Sequence, residues 1–111
     1  MARIIRILKG YLVDPREATE KVRDLVIELS QRGIKFKVTE EEENGEKFIV
    51  VESVDYPHGL IVTSGKTKED AEKMLKDAIF TAFEIPAPYC NPSLIKLDGF
   101  FAKEGLVYAA A

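Results

Sequence analysis

The chain has 111 residues, and 16 lysines and arginines against 19 aspartates and glutamates leave a net charge of −3 with His58 neutral. With 46% hydrophobic residues, one domain of this length can form a core without disulfides. The single cysteine, Cys90, excludes an internal disulfide, and no run reaches the roughly 18 apolar residues of a membrane helix. We therefore expect residues 1–111 to form one soluble, cytoplasmic domain without membrane contact.

The segment from Arg3 to Val13 is rich in isoleucine and predicts a strand. A helix follows, because Asp14 can cap its start and Pro15 suits its first turn. Gly33 predicts its left-handed C-terminal cap. The apolar residues between them recur at helical spacing: Ala18, Val22, Leu25, Val26 and Leu29.

Residues 34–39 alternate apolar and polar side chains, which predicts a strand, and Asn44-Gly45 predicts a tight hairpin turn back into a second strand. A two-residue loop places Val38 opposite Val51 and Lys37 opposite Glu52. The register gathers one apolar face of Ile34, Phe36, Val38, Ile49 and Val51. The other face carries Lys37 and Glu52 beside Phe48 and Val50.

Residues 55–59 predict a turn, and residues 60–63 a third strand. A second helix begins at Thr67, whose hydroxyl can cap the first turn, and ends before Pro86. Its predicted buried stripe comprises Ala71, Met74, Leu75, Ala78, Ile79, Ala82 and Phe83.

The predicted order is β-α-β-β-β-α, an α+β fold with two helices on one face of a mainly antiparallel sheet. This order is similar to the double-stranded-RNA-binding fold, with a ferredoxin-like arrangement as the main rival. Residues 86–111 form an irregular tail in which residues 94–97 and 106–108 can form short strands. The tail is expected to cover the sheet or to mediate dimerisation.

Few residue patterns indicate catalysis. His58 and Cys90 are the candidates for a base and a nucleophile, but no neighbouring motif of a known catalytic class accompanies either. The glycines form no phosphate-binding loop, and alternate residues of the acidic run 40–43 point to opposite faces of a strand. We therefore expect no cofactor, no metal and no catalytic residue, with a small enzyme using His58 and Cys90 as an alternative.

A second alternative is RNA binding through four lysines near the start of the second helix. Acidic residues such as Glu69 and Glu72 lie between them, and the chain is acidic overall, so a basic face is not predicted. RNA therefore ranks as a secondary partner. The four lysines are Lys66, Lys68, Lys73 and Lys76.

The segment from Phe48 to Ala71 resembles the HicB-like antitoxin domain. Gly65, Thr67, Glu69 and Ala71 occupy positions of that pattern, and the resemblance extends to about Phe83. It implies a compact, non-enzymatic domain that binds a partner protein. A further strand and helix precede the matching segment, and nothing after Pro86 is similar to the DNA-binding module of many such antitoxins.

Apolar residues exceed what one core face requires. Phe48 and Val50 point away from the predicted helices, and the tail adds Phe100, Phe101 and Tyr108. A twofold dimer would bury such residues. We therefore expect a small protein-interaction domain that forms a homodimer and that can bind another protein. Lysine and glutamate are abundant and Gln31 is the only glutamine, a balance that resembles thermophilic proteins.

Overall fold

The computed structural model describes residues 6–8, 11–99 and 105–111, with only the backbone described at 6–8 and 11–13. The helices are α1 (Pro15–Gln31) and α2 (Lys68–Ala82). Two single-turn 3₁₀ helices span Ala87–Tyr89 and Pro92–Leu94. The strands are β1 (Arg6–Leu8), β2 (Tyr11–Val13), β3 (Ile34–Glu43), β4 (Glu46–Val54), β5 (Val62–Gly65), β6 (Lys96–Asp98) and β7 (Leu106–Ala110).

Five strands form one antiparallel sheet in the order β5-β4-β3-β7-β6. The predicted hairpin register is confirmed, because Val38 lies opposite Val51 and Lys37 opposite Glu52. Asn44 and Gly45 both adopt positive φ, 54° and 82°, as the predicted turn requires. The fold is therefore α+β with an antiparallel sheet, as the sequence predicts.

Both helices pack on one side of this sheet, which we call the covered face. α1 lies beside β7, and α2 lies beside β4 and β5. The sheet side of this core includes fully buried Phe36, Val51 and Val107. The helices contribute buried Leu25 and Leu29 from α1, and Ala71, Leu75, Ile79 and Phe80 from α2.

The predicted caps position both helices. The Asp14 carboxylate accepts a hydrogen bond from the Arg16 amide, and the Thr67 hydroxyl accepts one from the Asp70 amide. Gly33, with φ of 68°, donates its amide to the Glu28 carbonyl and ends α1 as predicted. Among the described residues, neither helix is long and apolar enough to span a membrane.

The predicted stripe of α2 is wrong at its edges. Met74 is 44% exposed and Ala82 is exposed, whereas Phe80 is 3% exposed although the stripe omits it. The chain turns back after the helix, and the Ile85 amide donates to the Phe80 carbonyl at 2.9 Å. Ile85 from this returning segment joins Phe80 in the hydrophobic core, and helical periodicity does not describe the path of that segment.

The single strand predicted from Arg3 to Val13 is wrong. β1 and β2 pair with each other, with Leu8 opposite Tyr11, and they form a separate two-stranded sheet. Gly10 lies between them in sequence, and glycine is the residue type that tight turns favour. That signal favours two short strands over one.

The tail is not irregular throughout, because β6 and β7 extend the main sheet. β7 pairs with β3 and buries Val107 and Ala109 in the core. The predicted strand at 106–108 is confirmed as part of β7, and that at 94–97 overlaps β6, which begins at Lys96. These strands lie beside β3, so the described part of the tail widens the sheet instead of crossing it.

Candidate interaction surface

The side of the sheet opposite the helices, which we call the open face, is the main candidate surface. Strand alternation fixes its members from the observed register. They are Lys35, Lys37, Thr39, Glu41 and Glu43 on β3, Glu46, Phe48, Val50, Glu52 and Val54 on β4, Val62 and Ser64 on β5, Lys96 and Asp98 on β6, and Leu106, Tyr108 and Ala110 on β7.

Apolar side chains on this face are in contact with solvent. Val62 and Tyr108 are each 50% exposed, and Leu60, just before β5, is 67% exposed. Phe48 and Val50, which the sequence places on this face, are half-buried. The open face thus presents apolar groups to solvent on both flanks of the sheet.

A pair of opposite charges lies at the centre of the open face. Lys37 and Glu52 lie opposite each other on β3 and β4, and both are exposed. Among the described residues, neither side chain forms a hydrogen bond or an ion pair. Both charges are therefore free to meet charges on a bound molecule.

The third strand begins later than predicted, at Val62. Ser53 explains the difference, because its buried Oγ accepts a 2.9 Å hydrogen bond from the Ile61 amide. The Ser53 amide also donates to the Ile61 carbonyl at 2.8 Å. This clamp fixes the register of β5, so that Val62 lies opposite Glu52 on the open face.

A shallow groove of 440 Å³ lies where the open face meets the C-terminal end of α1. Tyr56, Arg32, Lys35 and Tyr108 are among its lining residues. Burial raises the pKa of the Tyr56 phenol, and the charge of Glu28 raises it further. The Tyr56 hydroxyl therefore stays protonated at neutral pH and is available as a hydrogen-bond donor.

His58 and Cys90 have different neighbours. His58 is exposed and packs edge-on against Tyr56, with ring centroids 5.5 Å apart. Cys90 is half-buried, and its Sγ contacts the carbonyls of Ile85 and Pro86, each at 3.5 Å. No hydrogen bond joins His58 to Cys90 within the described part of the chain.

The environment of Cys90 disfavours its reactive form. Burial raises the pKa of the Cys90 thiol, and the negative charge of Asp77 raises it further. A raised pKa reduces the thiolate, which is the nucleophilic species. Within the described ranges, no group of three or more histidines, cysteines, aspartates or glutamates is arranged to hold a metal ion.

The four predicted lysines do not form one surface with a single role. Lys66 lines a second groove, of 460 Å³, together with Glu43 and Glu46. Lys76 donates to the Pro92 carbonyl at 3.2 Å, which anchors the segment after α2. Lys68 and Lys73 are exposed beside exposed Glu69.

Two of the predicted packing residues, Phe100 and Phe101, lie outside the described residues. Sequence reasoning missed Leu60 and Val62 as surface groups. The available signal was the run of three consecutive predicted strands, but the loop at 55–59 leaves the register of the third strand against the second undetermined. The Ser53 clamp and the pairing of β4 with β5 settle it in the structure.

Comparisons with known proteins add no relative. No family model, curated protein or solved structure matches this chain.

Proposed function

We propose that this chain is a small non-enzymatic protein-interaction domain that binds its partner through the open face of its sheet. The observation that carries the proposal is the exposure of apolar side chains on the open face of the five-stranded sheet. Val62 and Tyr108 are each 50% exposed on opposite flanks of this face. Exposed apolar side chains gathered on one face of a sheet are typical of a protein-binding site.

The site chemistry supports the same function. No hydrogen bond joins His58 to Cys90 among the described residues, and the raised pKa of Cys90 lowers the fraction of the nucleophilic thiolate. The lysines near α2 are interspersed with carboxylates, which weakens phosphate binding. The resemblance to HicB-like antitoxins implies the same class of function, a domain that binds a partner protein.

A photo-crosslinking experiment tests this function. The photoreactive residue p-benzoylphenylalanine replaces Tyr108 on the open face or, as the control, Met74 on the surface of α2. These positions are 50% and 44% exposed, so solvent access is closely matched. We expect irradiation of producing cells to link the Tyr108 variant to protein, identified by mass spectrometry, and to leave the Met74 variant unlinked. Equal labelling from both positions, or none from either, would contradict the proposal.

A further inference from the structure

We infer that the partner on the open face is a second copy of this chain, in a closed dimer whose twofold axis runs parallel to the strands between β3 and β4. This inference rests on the proposed function, because it names the occupant of the same face. It assigns to each residue of β3 a position against β4 of the partner.

The inference follows from one row of side chains across the sheet. The observed register aligns Val62, Glu52, Lys37 and Leu106 in this order across β5, β4, β3 and β7. In charge terms the row reads apolar, negative, positive, apolar. When the row is reversed and laid against the original, each charged residue meets a residue of opposite charge and each apolar residue meets an apolar residue.

A twofold axis along the strands lays this row on its own reverse. Lys37 then faces the partner's Glu52, and Val62 faces the partner's Leu106. Both interactions occur twice, as in any isologous interface. The four charges are thereby paired between the chains, which matters because neither the Lys37 ammonium nor the Glu52 carboxylate forms an ion pair within the described residues.

A twofold axis that runs across the strands through this row gives the opposite result. It lays each position of the row on the same position of the partner, so that Glu52 faces the partner's Glu52 and Lys37 faces the partner's Lys37. Like charges directly opposed are destabilising. Electrostatics therefore selects the axis along the strands.

The neighbouring rows are compatible with this axis. Ser64, Val50 and Thr39 form an uncharged row, in which Val50 faces the partner's Thr39. In the next row Val54 faces the partner's Lys35, whose aliphatic stem can cover it while the ammonium reaches solvent. Stacked sheets commonly keep their strands within about 30° of each other, which suits this arrangement.

Charge reversal tests the inference by the molar mass in solution, measured by light scattering over a range of concentrations. Wild type is expected to be a dimer of the 12.5 kDa chain. Glu52→Lys alone, or Lys37→Glu alone, creates like-charge contacts at both symmetric positions. We expect each to raise the dimer dissociation constant roughly tenfold or more.

Recombining the charges provides the decisive comparison. An equimolar mixture of Glu52→Lys and Lys37→Glu chains restores opposite charges between chains while each chain keeps its own like-charged pair. The double variant, Lys37→Glu with Glu52→Lys, restores opposite charges between two identical chains. We expect both to dimerise like wild type, which also shows that the single variants are folded. Glu69→Lys on α2, the same charge change away from the open face, should leave the dimer unchanged.

Three outcomes would overturn the inference: a monomeric wild type at every concentration, a dimer insensitive to both single reversals, or a mixture that does not recover. Each can occur while the Tyr108 photo-crosslinker still captures a different protein. In that case the open face remains an interaction surface and only the identity of its partner changes.

Discussion

The two faces of the sheet differ although the same strands form both. On the covered face, Phe36 and Val51 are fully buried against the helices. On the open face, Val62 and Tyr108 remain half exposed and the central positions carry charges. This difference separates residues that stabilise the fold from residues that are available to bind, and substitutions on the two faces should have different effects.

The largest expected effect is on the covered face, at Phe36. Phe36→Ala removes a fully buried ring and should lower the free energy of unfolding by about 3–5 kcal/mol, as measured by urea denaturation. Tyr108→Ala on the open face is the matched control. It should cost less than about 1 kcal/mol when association is absent, because half of the side chain is already in solvent. Similar losses for the two variants would remove the distinction between the faces.

The next effect concerns the close approach of β5 to α2. A Cβ at Gly65 would lie 2.5 Å from the Ala71 amide nitrogen, a contact that the backbone can relieve only by moving. Gly65→Ala should therefore destabilise the protein by about 1–3 kcal/mol in thermal or urea unfolding. Ser64→Ala, one residue earlier and on the open face, should be nearly neutral. An unchanged free energy of unfolding in Gly65→Ala would show that α2 does not pack this closely against β5.

A smaller effect is expected at the Ser53 clamp. Ser53→Ala removes the acceptor of the Ile61 amide at a position that is 7% exposed. The unpaired amide should cost about 1 kcal/mol or somewhat more. Amide hydrogen exchange at Ile61 should also become faster. Wild-type protection of that amide in the variant would mean that the clamp does not hold β5 in register.

The smallest effect is chemical and concerns Cys90. The raised pKa means that iodoacetamide should alkylate native Cys90 more slowly at pH 8 than it alkylates the urea-unfolded chain. Asp77→Asn should increase the native rate, though less than unfolding does, since burial is the larger cause.

The raised pKa of Cys90 also makes the stability of the fold depend on pH. The folded state favours the protonated thiol. The contribution of Cys90 to the free energy of unfolding is therefore fully present below the unperturbed pKa of 9.0 and is lost as the pH rises through the raised pKa. Cys90→Ser should therefore weaken the alkaline dependence of unfolding. Equal alkylation of native and unfolded chains would contradict the assigned environment.

Local signals predict the central hairpin well. The Asn44-Gly45 turn fixes the pairing of β3 with β4, and alternation then assigns each side chain to a face. The caps at Asp14, Thr67 and Gly33 likewise follow from their own neighbourhoods. These elements depend on residues close in sequence, so their structure can be derived without knowing the rest of the fold.

Long-range pairing could not be derived in this way. β7 lies next to β3 although about 60 residues of sequence separate them, and nothing in either strand specifies that neighbour. The composition of the open face depends on this pairing, because it brings Leu106 and Tyr108 beside Lys37 and Lys35. The candidate surface was therefore only partly predictable, through Phe48, Val50 and the central charge pair.

The most direct test of the difference between the two faces compares Val51→Ala with Val50→Ala. These are identical changes at adjacent positions of β4 that point to opposite faces, one fully buried and one half-buried. In urea unfolding at concentrations too low for association, Val51→Ala should cost about 1–3 kcal/mol and Val50→Ala less than half as much. Equal losses, or a larger loss at Val50, would contradict the assignment of one face to folding and the other to binding.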